Sequence, residues 1–266
     1  MITRDALAAG HLPRHECERL LMKVTGASRS EVVAGLSLDD DTAMAYSRLC
    51  RRRVAGEPLQ YIEGSVPFGT AEIAVDKRVL IPRPETEYMW EKASLVSTKN
   101  PEIIVDLSTG SGALAVALSL TFPDAQVWAT DISAEALEVA ELNVMANEAN
   151  VALFLGDLFA PLPDNLRGKV DLFVSNPPYV SADEVLPSEV SEWEPRLALI
   201  AGDNGRAFLR RIADELKFWM APSAWFFIEI GETQADVADW FGDPFHEVHV
   251  EADLAGRPRY VVGRRR

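Results

Sequence analysis

The first part of the chain has the hydrophobic spacing of helices. Apolar residues recur at intervals of three or four in residues 15–24 and again in residues 42–54. Between these segments, Gly35 and a run of aspartates at 39–41 indicate a turn or a helix cap. We therefore predict a small helical domain over residues 1–57.

The pattern changes after this domain. Gly56 and Pro58 end the helical spacing, and residues 59–62 and 72–75 then have the apolar runs typical of strands. Turn-forming residues lie between the two runs: Gly64, Pro67 and Gly69. This arrangement predicts a β-hairpin linker over residues 58–81.

From about residue 100, short apolar runs alternate with helical segments. The predicted strands cover residues 103–105, 126–130, 151–155, 170–174 and 225–230, and the predicted helices cover residues 113–120, 133–147 and 205–220. This order predicts a parallel, doubly wound sheet with helices on both faces, because short connections between parallel strands require helical crossovers. Residues 245–250 and 259–262 are expected to close the sheet as an antiparallel hairpin. The fold class is therefore α/β, with the second domain over residues 82–266.

The charge of the chain is unevenly distributed. Residues 1–60 contain 9 basic and 8 acidic side chains, whereas residues 61–266 contain 17 and 33, and the net charge is −15. Binding to nucleic acid needs cationic groups that displace counterions from the phosphates. We therefore expect no direct nucleic-acid partner.

The composition is typical of a protein of the cytosol. The chain is 48% hydrophobic, which is sufficient for a sizeable core, and it has no apolar run near 18 residues. The first ten residues lack the apolar segment of a signal peptide. Cys17 and Cys50 form neither a CxxC pair nor a metal-ligand spacing, which fits a reducing compartment. We expect a cytoplasmic protein with no metal and no membrane partner.

A glycine-rich segment follows the first strand of the second domain and leads into a helix. It consists of Ser108, Thr109, Gly110, Ser111 and Gly112. Glycines at such a turn let the backbone approach a ligand closely, and the start of the helix offers unpaired N–H groups. Alone, the segment is equally compatible with a simple tight turn.

An acidic residue follows the second strand. Asp131 lies about 20 residues after the glycines, where a carboxylate can accept hydrogen bonds from both hydroxyls of a ribose. The alternative is a charge that favours the start of the next helix. The combined spacing favours a nucleoside cofactor without distinguishing NAD from S-adenosylmethionine (SAM). Asp157, after the third strand, is placed either to meet an adenine or to lie in a solvated loop.

The segment after the fourth strand separates these cofactors. It consists of Asn176, Pro177, Pro178 and Tyr179. An amide nitrogen is a weak nucleophile, so its site must hold the NH₂ group and stabilise the positive charge that develops on it. The Asn176 side-chain oxygen and the Pro177 carbonyl are suitable acceptors, and Tyr179 could pack against the flat amide. The pattern predicts methyl transfer from SAM to a planar amide or amine nitrogen.

Several segments together resemble the release factor glutamine methyltransferase family (the PrmC/HemK family) over nearly the whole chain. They are residues 52–64, 79–87, 106–112, 176–179, 194–199 and 253–257. The Asn-Pro-Pro-Tyr sequence is shared with adenine and other amino methyltransferases. The Pro-Arg-Pro-Glu-Thr-Glu sequence at 82–87 is far more specific, particularly together with the N-terminal segment.

The resemblance implies a seven-stranded, Rossmann-like, SAM-dependent methyltransferase domain preceded by a small all-α domain and a β-hairpin linker. It implies methylation of the glutamine N5 in the Gly-Gly-Gln motif of class-1 peptide release factors, held by the N-terminal domain. We expect the enzyme to act as a monomer.

The resemblance also implies roles for particular residues. The implied SAM contacts are Ser108, Thr109, Gly110, Ser111, Gly112, Asp131, Asp157, Leu158 and Asn176. The implied substrate contacts are Asn176, Pro177, Pro178 and Tyr179, of which Asn176, Pro177 and Tyr179 are also implied to be catalytic.

Three positions depart from the family pattern. Ser108 stands where glycine or another small residue is common, and we expect it to adopt a negative φ. Leu158 stands where relatives can stack an aromatic ring on adenine. Ser223 and Ala224 replace a usual pair of glycines, with an expected effect on a turn alone.

Other functions are compatible with parts of this pattern. A glutamine methyltransferase of a ribosomal protein would have the same catalytic core. An amino methyltransferase of nucleic acid is opposed by the acidic second domain. A SAM-binding module without catalysis is opposed by the intact Asn176–Tyr179 segment.

Overall fold

The computed structural model describes residues 2–8, 12–96 and 100–266. Packing divides the chain into two compact units. The first comprises the described residues up to Ser65 together with Pro187–Trp193, and the second comprises Val66–Leu186 and Glu194–Arg266. The domain boundaries expected after residues 57 and 81 stay predictions. Parts of those predicted domains, residues 1, 9–11 and 97–99, lie outside the described residues.

The first unit is helical, in agreement with its hydrophobic spacing. Its helices span Thr3–Ala8, Arg14–Thr25, Arg29–Ala34, Asp40–Val54, Leu59–Glu63 and Ser188–Trp193. Ser28 and Asp39 cap two of these helices by accepting hydrogen bonds from backbone N–H groups of the first turn. The apolar faces of the helices form a core from Ala6, Leu20, Leu21, Val32, Leu38, Tyr46, Leu59 and Ile62.

An ion-pair cluster attaches the segment Pro187–Trp193 to this unit. Arg53 donates to both carboxylate oxygens of Glu16, at 2.8 and 2.9 Å, and to Glu189 at 2.9 Å. The Arg53 and Glu16 side chains are largely buried, so little solvent screens their attraction. A segment distant in sequence therefore packs with the N-terminal helices.

The segment after Pro58 is a helix, so the strand predicted over residues 59–62 is wrong. Leu59–Glu63 begins after Pro58, with a φ of −53°, and ends at Gly64, with a φ of 86°. Both flanking residues suit helix ends. A short apolar run does not by itself distinguish a strand from one turn of a buried helix.

The predicted hairpin begins directly after this helix. Strand β1 spans Ser65–Phe68 and pairs with strand β2, Ala71–Ala74. Pro67, which was expected between the strands, lies within β1 with its side chain exposed. Proline is tolerated there because each strand of a two-stranded sheet has one edge that pairs with no strand.

A seven-stranded sheet forms the centre of the second unit. Its strands are β3 (Ile103–Leu107), β4 (Gln126–Asp131), β5 (Val151–Leu155), β6 (Val170–Ser175), β7 (Met220–Glu229), β8 (Phe245–Ala252) and β9 (Pro258–Arg265). The strand order is β5-β4-β3-β6-β7-β9-β8. Strands β3 to β7 are parallel, and β9 is antiparallel to both of its neighbours. The predicted α/β class, parallel sheet and closing hairpin are confirmed.

The three helices predicted for the second unit are present with shifted ends, at Ala113–Thr121, Ala134–Ala146 and Ala207–Glu215. Further helices span Pro84–Val96 and Arg196–Leu199. Ser133 caps its helix as predicted. The helix expected over residues 205–220 is shorter, because a 3₁₀ turn follows Glu215 and β7 already begins at Met220. Ser223 lies inside β7 with a φ of 65°, in a stretch where the pairing with β6 shifts register.

Candidate active site

A cavity lies where the parallel strands end. The chain adds β4 and β5 on one side of β3 and then β6 and β7 on the other side. The direction in which strands are added to the sheet therefore reverses beside β3, although the strands themselves stay parallel. A crevice at such a reversal is the usual ligand site of a doubly wound sheet. The space between its walls is about 970 Å³ when open solvent at its mouth is included.

Residues from several sequence segments line this cavity. The residues implied as ligand contacts that line it are Ser108, Thr109, Gly110, Ser111, Asp131, Asp157, Leu158, Asn176 and Pro178. Gly112, Pro177 and Tyr179 are not among the lining residues. Their predicted contacts stay predictions, as do those of the residues that line the cavity.

The glycine-rich turn is held by hydrogen bonds at the end of β3. Gly110, with a φ of 56°, donates its N–H to the Asp131 carboxylate at 2.8 Å. Gly112, with a φ of 80°, lies so close to Ala140 that a side-chain carbon would be 3.2 Å from the Ala140 Cβ. Gly112 therefore allows two helices to pack closely, which explains a glycine there without a ligand contact.

Ser108 differs from expectation. Its φ is 60°, in the left-handed region, rather than negative. A residue with a Cβ costs on the order of 1 kcal/mol there, which the fixed turn must offset. Leu158, at the end of another loop of the cavity, has a φ of 49°. Both positions hold backbone conformations that glycine would adopt without strain.

A buried carboxyl group in β3 holds the glycine-rich turn through a hydrogen bond. Asp106 is fully buried in β3 and accepts a hydrogen bond from the Thr109 hydroxyl at 2.6 Å. Burial raises the pKa of Asp106 to about 7. Its other carboxyl oxygen has no hydrogen-bond partner among the described residues.

Asp131 presents a carboxylate to the cavity at the end of β4. Its two oxygens accept backbone N–H bonds from Gly110 at 2.8 Å and from Ser133 at 2.9 Å. Burial raises the pKa of Asp131, whereas these N–H donors lower it. The two N–H bonds fix the carboxylate in place. Each of its oxygens has a further lone pair, so the group can still accept hydrogen bonds from two hydroxyls.

The loop after β5 contributes one charged and one apolar side chain to the lining of the cavity. Asp157 accepts a hydrogen bond from Arg211 at 2.8 Å, and both side chains are partly exposed. Leu158 is buried, and its carbonyl oxygen accepts from the Thr130 hydroxyl at 2.9 Å. The leucine side chain can pack on a flat base, and Asp157 is positioned by an ion pair beside it.

Asn176 follows β6 at the other side of the cavity. Its side-chain Nδ2 donates to the Thr86 hydroxyl oxygen at 3.0 Å, and Thr86 in turn donates to Glu229 at 2.7 Å. A carboxamide held through its nitrogen directs its oxygen away from that contact. Asn176 can therefore offer Oδ1 as an acceptor beside the cavity.

The rest of the Asn-Pro-Pro-Tyr segment is braced from behind. The Tyr179 hydroxyl donates to Glu229 at 3.1 Å, and the Tyr179 carbonyl accepts from Gln234 at 3.0 Å. Gly205 packs on this backbone so tightly that a side-chain carbon would lie 2.1 Å from the Tyr179 carbonyl oxygen. The segment is consequently a rigid element rather than a free loop.

An ion pair joins two segments that border the cavity. Glu194 is almost completely buried and accepts hydrogen bonds from the guanidinium of Arg83 and from the backbone N–H of Ile81. Pro82 and Pro195, next to these residues, line the cavity. The ion pair therefore fixes the rim of the cavity where residues 79–87 and 194–199 meet, which are two of the segments that carry the family resemblance.

Two asparagines connect the hairpin to the site. Asn143 exchanges two hydrogen bonds with the backbone of Ala74 and donates a third, at 2.8 Å, to the carbonyl oxygen of Ser111 in the glycine-rich turn. Asn147, one helical turn later, repeats the exchange with the backbone of Glu72. The helix Ala134–Ala146 therefore pairs with strand β2 through side chains and reaches the cavity wall.

Replacement of Asn143 by alanine is expected to lower the free energy of unfolding by about 2–4 kcal/mol, because the fully buried side chain loses three hydrogen bonds. It should also weaken cofactor binding, since Ser111 lines the cavity. Asn147→Ala is the matched control with a cost below about 1 kcal/mol, because Asn147 is only partly buried. Urea unfolding of both variants tests this, and equal losses would contradict the role given to Asn143.

Sequence reasoning did not identify the supporting side chains Thr86, Asn143, Gln234 and Glu229. The Thr in the Pro-Arg-Pro-Glu-Thr-Glu sequence was a signal for one of them. The others lie in ordinary helix, turn and strand positions.

The described residues contain neither a metal-ligand cluster nor a membrane-spanning helix. No group of three or more His, Cys, Asp or Glu side chains in ranges 2–8, 12–96 and 100–266 could hold a metal ion. None of the helices in those ranges is both long and apolar enough to span a bilayer.

Comparisons with known proteins agree with the fold. The methyltransferase small domain family matches residues 93–192, and the PrmC N-terminal domain family matches residues 3–64. A methyltransferase structure from Pyrococcus furiosus superposes with a TM-score of 0.54 at 18% identity, covering 73% of this chain and 88% of that one. This likeness shows the fold.

Sequence relatives identify the family. A release factor glutamine methyltransferase from Bordetella pertussis is 38% identical, over 98% of both chains. Another from Koribacter versatilis is 36% identical, over 95% of this chain and 91% of that protein. On this similarity along nearly its full length, the chain belongs to the release factor glutamine methyltransferase family.

Proposed function

We propose that this protein transfers a methyl group from SAM to the side-chain amide nitrogen of the glutamine in the Gly-Gly-Gln motif of class-1 peptide release factors. The observation that carries the proposal is the Asn176 side chain, held through Nδ2 so that Oδ1 can accept a hydrogen bond from an amide NH₂. Family membership supports the choice of a glutamine as acceptor.

The residues around the cavity fit SAM. The proposed cofactor contacts are Ser108, Thr109, Gly110, Ser111, Gly112, Asp131, Asp157, Leu158 and Asn176. The Asp131 carboxylate suits a ribose diol, and the buried Leu158 suits an adenine face. The acidic groups of the cavity also suit a cationic sulfonium. When bound, SAM supplies an electrophilic methyl group.

The chain activates the acceptor by position and charge. Asn176 Oδ1 and the Pro177 carbonyl are the proposed acceptors for the two N–H bonds of the glutamine amide, and Tyr179 and Pro178 the proposed surfaces against its plane. Such acceptors stabilise the positive charge that develops on nitrogen, which is where electrostatic catalysis is most effective. The methylated amide cation is a strong acid, so its proton can pass to water without an enzymatic base.

We further propose that the N-terminal helical domain, residues 1–57, holds the release factor, while residues 82–266 carry out the chemistry. The match of residues 3–64 to a domain named after this family supports that division. The net charge of −15 lies almost entirely after residue 60, so the N-terminal part offers a nearly neutral surface. The protein is proposed to act as a monomer in the cytoplasm.

The proposal is tested by methyl transfer from labelled SAM to a purified class-1 release factor. We expect label on the release factor and none on a variant whose motif glutamine is replaced by alanine. Label on ribosomal protein or on RNA, with none on the release factor, would assign the chain to one of the other two substrate classes. Binding of SAM with no methyl transfer to release factor, ribosomal protein or RNA would support a SAM-binding module that does not catalyse methylation.

A further inference from the structure

We propose that Thr86 and Glu229 are positioning residues that fix the orientation of Asn176 and Tyr179 through one continuous buried hydrogen-bond chain. The inference rests on the proposed function, because it assigns the role of this chain in holding the amide acceptor. Neither residue needs to touch the substrate amide for this role.

The chain of contacts is complete from one end to the other. Asn176 Nδ2 donates to Thr86 Oγ1 at 3.0 Å, and Thr86 Oγ1 donates to Glu229 Oε2 at 2.7 Å. The Tyr179 hydroxyl donates to the second oxygen, Glu229 Oε1, at 3.1 Å. One carboxyl group therefore holds both functional side chains of the Asn-Pro-Pro-Tyr segment.

The direction of these bonds is set by chemistry. The ionised Glu229 carboxylate only accepts, so in that form it compels both Thr86 and Tyr179 to donate toward it. The single proton of the Thr86 hydroxyl is then donated to Glu229. The hydroxyl oxygen can therefore only accept a hydrogen bond from Asn176. Only the NH₂ end of the Asn176 carboxamide can donate that hydrogen bond. Glu229 thereby determines, through Thr86, which end of Asn176 remains for the substrate.

Burial makes this determination strong. Glu229 is 1% exposed and Thr86 is 5% exposed, so no bulk water competes for their protons. Burial raises the pKa of Glu229 to about 7, even though the hydrogen bonds from Thr86 and Tyr179 act to lower it. A buried carboxyl is costly to folding, and an apolar side chain of similar size would serve the core at lower cost. A role in orientation accounts for a carboxyl at this position.

The members of the hydrogen-bond chain come from three different parts of the fold, which makes the arrangement rigid. Thr86 lies in the first turn of the helix Pro84–Val96, and Glu229 is the last residue of β7. Asn176 follows β6, which pairs with β7 along its length. Rotation of the Asn176 side chain would leave the buried Thr86 hydroxyl without its donor, at a cost typical of an unsatisfied polar group.

The test compares Thr86→Val, which removes the hydroxyl at constant volume, with Thr86→Ser, which keeps it. We expect Thr86→Val to lower kcat about 10- to 100-fold, with the Kd for SAM and the KM for release factor changed less than about threefold. Thr86→Ser should retain most of the activity. Ser119→Ala is the control for loss of a buried hydroxyl, since Ser119 is 4% exposed and bonds to the Asn150 N–H, away from the site.

A second measurement needs no turnover. The side-chain NH₂ signals of Asn176, identified by their loss in Asn176→Ala, are followed by NMR in the SAM-free protein. We expect the hydrogen exchange of this NH₂ group to become faster, and its chemical shifts to change, in Thr86→Val and in Glu229→Gln. Both quantities should be unchanged in Ser119→Ala. Glu229→Gln also serves as the second variant if Thr86→Val does not fold.

The outcomes separate this inference from the proposed function. Wild-type kcat together with unchanged Asn176 signals in Thr86→Val would overturn the positioning role, whichever substrate is methylated. Equal loss of activity in Thr86→Val, Thr86→Ser and Ser119→Ala would assign the effect to general destabilisation and would also overturn it. Absence of transfer to release factor by the wild-type protein would overturn the proposed function, and the NMR comparison would still decide the orientation of Asn176.

Discussion

Replacement of Asn176 by alanine is expected to lower kcat by about 10²- to 10³-fold. In the proposed mechanism the side chain supplies one of two acceptors for the substrate NH₂ group, and loss of one such electrostatic contact typically has this effect. The Kd for SAM should change less than about threefold, because Asn176 is one of nine proposed cofactor contacts and the proposed adenosine contacts lie at the ends of β3, β4 and β5. Steady-state turnover with release factor and calorimetric titration with SAM measure the two effects separately.

The matched control is Asn165→Ala, which removes an exposed asparagine in the turn Asp164–Leu166. It should leave both kcat and Kd unchanged. Comparable losses of turnover and of SAM affinity in Asn176→Ala would contradict the acceptor role, because they would show that Asn176 acts mainly on the cofactor. Asn176→Asp gives a further comparison. It keeps an oxygen toward the substrate and loses the Nδ2–H that Thr86 accepts.

The cavity could be predicted from the sequence because its parts are continuous segments that follow buried strands. Residues 108–111, Asp131 and Asn176 each follow a parallel strand, and parallel strands in one sheet bring their carboxyl ends to the same edge. Local pattern and topology are therefore sufficient to bring these residues together. The same argument predicted the parallel sheet of the α/β domain and its closing hairpin without any knowledge of side-chain contacts, whereas the strand order comes from the structure.

The supporting contacts could not be predicted, because each joins residues that no local pattern relates. Thr86 and Glu229 are separated by 143 positions along the chain, and Asn143 lies 69 positions from Ala74. Their side chains meet through packing of helices on a twisted sheet, which periodicity does not specify. A buried polar residue in a helix or strand is visible in a sequence, but its partner is not.

Backbone conformation was predicted less well than element order. Ser108 was expected at negative φ on steric grounds, yet its φ is 60°. The turn is fixed by the bond from Gly110 to Asp131 and by packing of Gly112 on Ala140, so the tertiary structure overrides the local preference. The segment Leu59–Glu63 is the converse case, where flanking Pro58 and Gly64 made one helical turn from an apolar run.

Replacement of Asp131 by alanine is expected to raise the Kd for SAM on the order of 10²-fold. Two hydroxyl bonds to a charged acceptor contribute about 1.5–3 kcal/mol each, and the backbone N–H groups of Gly110 and Ser133 also lose their acceptor. S-adenosylhomocysteine should lose the same factor, because it has the same ribose. Asp131→Asn should be intermediate, and Asp124→Ala, an exposed residue before the start of β4, should have no effect.

An analogue of S-adenosylhomocysteine that lacks the ribose 2′-hydroxyl makes this prediction specific. If Asp131 accepts from that hydroxyl, the analogue binds the wild-type protein more weakly than its parent, but binds Asp131→Ala as well as its parent does. The two losses are then non-additive, as expected for groups in direct contact. Additive losses would show that Asp131 acts through the glycine-rich turn alone, because the substitution would then weaken both ligands by the same factor.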